Sequence, residues 1–569
     1  MHRARLPYIL IPVAAFFAII PLLINGCSCG HDFDFHLLSW FEAARQFTHG
    51  SLHPHWAYTP AWNAGEPRFV FYPPVSWTLG AILGLLFPWT WTPILYTWLA
   101  LTAAGLRLYY LARDFSTPVA ATVAAVFYTV NPYMLFTGYE RTAYAELLAA
   151  AWIPLLLHAI LRDKVTIPRI AIPVALLWLT NAPAAVMSCY VLGLIAIFRL
   201  ATNLDGPSGK GKQTRLKLAL NTITGTTLGL GIAAFYIIPA AYERRFVQIA
   251  MAIIPVYRIQ DNFLFHHTPD LDHDKVLHTA SLIAVILIIL TGAALITARA
   301  TEKVRRPPAS NPHPERSRQR IQFTLITLTI LTIAIVLLQT PVTQFIWSHA
   351  PELAFLQFPW RLLAILATVL SLTIAIALTS LKTKPTTTTI LTLTFAAALT
   401  YPANRAFHQS CDPEDTVKAR LALFYSNKGT DPTDEYTPIT ADNDSLSQTN
   451  PPYWLSTGPN AKAPSNTQPG PAPTHLTIAT PVAANLTLNL RDYPAWQIKR
   501  NGSPINPQYH RLDGLIEIAI PTGQSTIDIH YVRTVDQTIG EVLSALSILG
   551  LFITLLRKTS NERELFPSC

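Results

Sequence analysis

The chain has 569 residues, 51% of them hydrophobic and only 13% charged, about half the charged share of an ordinary soluble domain. That composition excludes water as the main solvent. The formal net charge of +9 does not point to nucleic acid, because the basic residues are confined to short loops between apolar runs and so carry topology information instead. A mean hydropathy of only +0.31 follows from the polar stretch Asn404 to Asp536, which holds no spanning segment.

In chain order, Leu6 to Ile24, Leu218 to Pro239, Leu282 to Thr297, Ile321 to Leu338 and Leu362 to Leu378 are almost free of charge and near the length that crosses a bilayer. Arg3 and Arg5, Arg113, Arg162 with Lys164, Arg199 with Lys210, Lys212, Arg215 and Lys217, the run Arg299 to Arg320, Lys382 with Lys384, and Arg557 with Lys558 fall between such segments. The positive-inside bias places them in the cytoplasm. About twelve spans with both termini inside result, provided that the short run Val75 to Leu86 stays juxtamembrane or re-entrant. Residues 25–74, 240–277, 339–360 and the polar region then lie outside. The fold expected is an α-helical polytopic membrane domain over 1–402, an extracytoplasmic β-rich domain over 403–536, and a final transmembrane helix with a cytoplasmic tail over 537–569. Ile24-Asn25-Gly26-Cys27 loosely resembles a lipoprotein processing site, but the absence of a small-residue pattern marks the first span as an uncleaved anchor.

Five cysteines are present; Cys27, Cys29 and Cys411 are expected to share the outer side, where an oxidised pair can form. Residues 412–473 are rich in Pro, Thr and Asn and read as irregular structure. From His475 the pattern turns to period two: Leu476 and Ile478; Leu486, Leu488 and Leu490; Ile516, Ile518 and Ile520; Ile527, Ile529 and Tyr531. Asn501-Gly502 marks a two-residue hairpin turn. An antiparallel β-sandwich is expected, with Trp454 and Trp496 in its core.

The densest set of polar and aromatic residues follows the first span, from Gly30 to Pro74. Leu37, Leu38, Phe41 and Ala44 share one helical face and Glu42, Arg45 and Gln46 the other, as in an amphipathic helix on a membrane surface. Asp32 and Asp34 stand at its start. One carboxylate there serves as an N-cap, the ordinary reading of Asp34. A second, two residues away, adds repulsion and needs a metal, a positive partner or proton transfer to explain it. Arg361, at the outer end of a helix, needs an anion or a snorkelling route; Arg141 with Tyr139, Glu140 and Glu146 reads as a structural ion pair at a helix start. Trp40, Trp56, Trp62 and Trp77 suit interfacial anchoring or stacking on sugar faces. The histidines of the first loop, and His266, His267, His273 and His278 with Asp270, Asp272 and Asp274, repeat no closed zinc spacing and no calcium loop. No Gly-rich phosphate loop or dinucleotide fingerprint is present.

Gly30-His31-Asp32 with Phe35-His36, Phe71 to Pro74, Asn131 to Tyr133, Gln357 to Arg361 and Tyr493 to Trp496 together resemble the membrane proteins called 6-pyruvoyl-tetrahydropterin synthase-related. The paired acidic residues of the first loop also resemble those of GT-C glycosyltransferases. The resemblance implies a GT-C-like membrane domain and transfer of a sugar from a polyprenyl-phosphate donor to an extracytoplasmic acceptor. Asp32 is then the general base, Asp34 orients the acceptor or holds a divalent metal ion, and Arg361 with Arg141 meets the donor phosphate. His31, His36, Trp62 and Tyr72 are the substrate-loop candidates. The competing readings are a transporter or flippase of lipid-linked envelope intermediates and a non-catalytic scaffold. Transport is disfavoured because the charges crowd at span ends rather than near the midplane.

Overall fold

The computed structural model describes all residues except 1–4, 203–213, 305–313, 351, 381–383, 466, 508–510 and 564–569. Arg3, Lys210, Lys212, Lys382 and the middle of the Arg299 to Arg320 run therefore lie outside the described residues. Among those described, eight helices are long and apolar enough to cross a membrane: Pro7–Asn25, Trp89–Arg113, Pro118–Tyr139, Ala182–Ala201, Leu271–Lys303, Arg318–Leu338, Pro359–Ser380 and Val535–Leu556. The expected count of about twelve is not reached by length and composition, because three further apolar segments fold as shorter helices, Pro74–Leu86, Tyr144–Ile160 and Ile167–Thr180. Pro74–Leu86 has 13 residues and spans about 20 Å at 1.5 Å per residue, less than the ~30 Å of a hydrocarbon core.

The stretch Leu218 to Pro239, expected as one span, is two helices, Arg215–Ile232 and Ala234–Glu243, bent by 73° at the break. The final helix supplies the groups that the break exposes. Ser544 Oγ accepts the Phe235 amide at 2.8 Å and donates to the Gly231 carbonyl at 3.1 Å. Gly540 permits this approach, because a Cβ there would press into the Ala234 carbonyl.

Residues 453–531 form two antiparallel sheets. Strands β1 (Tyr453–Ser456), β3 (Ala484–Arg491) and β6 (Leu515–Ile520) lie in the order β1-β3-β6, and β2 (His475–Thr480), β4 (Trp496–Arg500), β5 (Ser503–Ile505) and β7 (Gly523–Tyr531) in the order β2-β7-β4-β5. The period-two residues form the core between them, joined by Trp56 of the first loop and by Val247. Asn501 and Gly502, at φ 51° and 79°, close the β4–β5 hairpin as the dipeptide predicts. Strand β1 went unread in the Pro-rich stretch, as did the helix Val417–Phe424. Trp454 is buried, but Trp496 is only partly so, packed edge-on against Trp56. At the foot of this domain the buried Glu243 accepts hydrogen bonds from Tyr493 Oη and from Gln537 Nε2 at 3.1 Å, tying sheet, broken helix and final helix together.

The first loop corrects two expectations. The polar face of its helix, Phe33–Thr48, does not turn Glu42 to water. Glu42 is fully buried, because residues 51–67 fold over the polar face and Thr59 donates its amide (2.7 Å) and hydroxyl (2.5 Å) to Glu42 Oε1. Trp40, Trp56 and Trp77 are likewise packed inside, with Trp40 stacked on Tyr96, so they neither anchor at an interface nor stack on ligand.

Candidate functional site

Gly30 sets the geometry of the acidic motif. The His31 and Asp32 amides donate to the carbonyls of Glu140 (3.3 Å) and Arg141 (2.9 Å), zipping two distant segments together. A Cβ on residue 30 would collide with the Glu140 carbonyl oxygen, so Gly30→Ala is expected to part this zipper. The melting temperature should fall; a wild-type value would show that this close approach does not hold the two segments together.

Asp32 is the N-cap residue of Phe33–Thr48, but its side chain makes no capping bond. Its carboxylate is 45% exposed, with Arg141 Nη2 4.0 Å away. Asp34, for which capping was the ordinary reading, lies inside the first turn and meets Arg420 Nε at 2.6 Å; Arg420 also holds Asp415 at 2.6 Å. Burial pushes Asp34 up to about 6, against the pull of Arg420 and with repulsion from Asp415.

Behind Asp32 lies a buried charge cluster. Glu146 Oε1 accepts from Tyr133 Oη at 2.5 Å, and Oε2 faces Arg141 Nη1 at 2.6 Å and Arg361 Nε at 3.6 Å. Arg141 also lies over the ring of Trp360 at 4.8 Å. Arg361 donates through Nη1 to the Leu356 carbonyl at 3.0 Å and to Gln357 Oε1 at 3.4 Å. Its Nη2 has no hydrogen-bond acceptor among the described residues. Two guanidiniums thus share one buried carboxylate, with the half-exposed Asp32 beside them.

His36 is buried among Phe35, Trp40, Tyr72 and Tyr144, with Nε2 3.4 Å from Tyr72 Oη. Desolvation holds its ring down at about 4, so it is neutral at pH 7. Between its ordinary value of 6.5 and about 4 the unfolded chain takes up a proton that the folded site refuses. The stability His36 contributes is therefore complete above pH 6.5 and is lost as pH falls through 4. His36→Gln should flatten the melting temperature against pH over that window; an unchanged slope would show that another group sets it.

His31 is exposed beside Glu140. Trp62 sits elsewhere, at φ 50° in a left-handed turn, packed beside the cluster of Trp454 and Leu515 and hydrogen-bonded to Thr430 and Asn489. It joins loop to β-domain and is not brought to Asp32. Arg420 was missed as a site residue, while Glu146 was read only as part of the ion-pair cluster of Arg141, a pair that the structure contains at 2.6 Å. Arg420 is distant in sequence, and the available signal was cysteine pairing: Cys29 and Cys411 form a disulfide with Cα atoms 5.0 Å apart, carrying residues 411–424 to the acidic motif. The Asp270 run is a cap, Asp270 Oδ1 accepting the amides of Asp272 and His273 at the start of a long helix.

A cavity of about 380 Å³ opens beside the cluster, lined mainly by apolar groups including Tyr72, Trp178, Val186, Tyr236 and Leu356, with the Arg244–Glu352 ion pair in its wall. Among the described residues no three His, Cys, Asp or Glu groups are placed to hold a metal. Asp32 and Asp34 turn to different arginines and do not fit a shared divalent ion.

Fold and site together define a multi-pass membrane protein with an arginine-rich acidic site and a C-terminal β-sheet region. No family profile and no curated protein matches the chain, so the resemblance to the 6-pyruvoyl-tetrahydropterin synthase-related proteins has no counterpart there. Among solved structures it is similar to the arabinofuranosyltransferase AftD from Mycobacteria (15% identity, TM-score 0.43, covering 92% of this chain and 40% of that one). The R1389S mutant of that protein is similar over 71% of this chain and 28% of that one (17%, 0.40). The archaeal oligosaccharyltransferase AglB from Archaeoglobus fulgidus, in complex with an inhibitory peptide and a dolichol-phosphate, is similar over 72% of this chain and 56% of that one (14%, 0.39). The chain thus spans well under two thirds of the length of each.

Proposed function

We propose that the protein is a GT-C-like membrane glycosyltransferase that moves a sugar from a polyprenyl phosphate to an acceptor hydroxyl. The observation that carries this reading is the uncapped, half-exposed Asp32 carboxylate beside Arg141, which shares the buried Glu146 with Arg361; Tyr72 and Leu356 near this cluster line an apolar cavity. Asp32 takes the proton of the acceptor hydroxyl as its oxygen bonds to the anomeric carbon. The bond from that carbon to the phosphate oxygen breaks, and its electron pair leaves with the phosphate. Such a leaving group departs as a stabilised anion and needs no matching acid. Arg361 Nη2 and Arg141 meet the charge that develops there, and the apolar cavity takes the lipid chain. Asp34, held by Arg420, keeps residues 411–424 against the site. The Cys29–Cys411 disulfide supports an oxidising, extracytoplasmic setting for this face, and the basic loops support a cytoplasmic side for both ends of the chain.

The test offers purified wild type and Asp32→Asn a panel of polyprenyl-phosphate sugars and scores release of lipid phosphate. Turnover by wild type that is lost in Asp32→Asn is expected. Equal turnover by the two proteins would remove Asp32 from the chemistry.

A further inference from the structure

The end of the bundle away from Asp32 holds a second cavity, of about 270 Å³. Helix Thr92–Arg113, 22 residues long, spans about 33 Å and separates the two ends: its start lies by Cys27 and its far end by Asp114. The cavity's polar lining is His158, Arg162, Thr166 and Arg169; Leu155, Ile172 and Leu555 line the apolar part.

The charges there are unbalanced. Asp114 is shared by Arg162 at 2.9 Å, His158 at 3.0 Å and Arg320 at 3.4 Å, and Asp163 meets Arg320 at 3.5 Å, which leaves Arg169 as an additional cation. Arg169 has no ion pair or hydrogen bond from its side chain among the described residues. It stands in the first turn of Ile167–Thr180, whose N-cap Thr166 makes no side-chain capping bond and whose second residue is Pro168. Thr166 and the Arg169 guanidinium therefore stand at one wall of the cavity with His158 and Arg162, a basic lining suited to an oxyanion.

We propose that this cavity binds a phosphate group, supplied by the headgroup of an anionic phospholipid. The apolar half of the lining supports the lipid source. Leu555 of the final helix forms part of that lining, so the lipid would hold the end of this helix to the bundle. A basic pocket between membrane helices is a setting in which such headgroups are held.

Native mass spectrometry of the full chain, in bilayer discs of phosphatidylcholine with graded phosphatidylglycerol, tests the proposal. Wild type should retain phosphatidylglycerol in preference to phosphatidylcholine. Arg169→Gln should retain roughly tenfold less, the loss of one charge-assisted hydrogen bond, and Arg169→Lys should recover part of it. A parallel arm measures binding of inorganic phosphate in detergent: binding that needs Arg169 without any phosphatidylglycerol preference would keep the anion site and assign it a soluble source. Equal retention of both lipids together with no Arg169-dependent phosphate binding would overturn the proposal. So would retention in Arg169→Gln that matches a folded wild type in both arms.

Discussion

With Asp32 as the base proposed above, Asp32→Asn is expected to lower turnover by roughly 10²- to 10⁴-fold, the range for removal of a general base, while leaving the fold intact. The carboxylate is 45% exposed and its nearest cation is 4.0 Å away; an ion pair of that kind contributes at most about 1 kcal/mol. The amide that fixes residue 32 to the Arg141 carbonyl is backbone and survives the substitution. Asparagine keeps the shape and removes the charge and basicity. Asp34→Asn should behave differently, because Asp34 meets Arg420 at 2.6 Å: its loss loosens residues 411–424 and lowers kcat and stability together. Measured kcat, KM and melting temperature for the two variants separate these roles. A turnover loss confined to Asp34→Asn would transfer the base to Asp34.

Glu146→Gln is expected to be the most destabilising single change at the site, by about 3–5 kcal/mol, the usual effect of removing one partner of a buried ion pair. Glu146 is buried, and its two oxygens hold Tyr133, Arg141 and Arg361. Glutamine keeps an acceptor for Tyr133 but leaves two guanidiniums with only the half-exposed Asp32, 4.0 Å from Arg141, as counter-charge. Arg361→Gln should have the opposite profile. The Arg141–Glu146 pair remains, so stability changes little, while turnover falls by roughly 10²- to 10³-fold through loss of a donor to the developing phosphate charge. The double variant should melt above Glu146→Gln alone, because one of the opposed cations is gone. If Glu146→Gln melts with wild type, the cluster is not the electrostatic unit described. If Arg361→Gln turns over normally, Arg361 serves packing alone.

Apolar run length and strand periodicity made much of the architecture legible. The apolar runs, the alternating strand residues and Asn501-Gly502 are local signals, each fixed by a few neighbouring side chains, and they reappear in the structure except that Leu218 to Pro239 is broken into two helices. The span count did not follow, because a break such as that at Ala233 depends on Ser544 from a helix some 300 residues later in the chain. Amphipathic spacing around Glu42 likewise showed a polar face but not what would cover it.

At the site, the amino-acid sequence by itself determined that Asp32 and Asp34 head a helix just after the first apolar run, and that Arg361 ends a loop before another. Only the tertiary structure decided that the two aspartates part company. Asp32 stays open beside Arg141, while Asp34 is taken by Arg420. The physical reason is long-range: the Gly30 zipper and the Cys29–Cys411 bond bring segments far apart in the chain within hydrogen-bonding distance, and the partner of a charge is set by that proximity, not by its sequence neighbours.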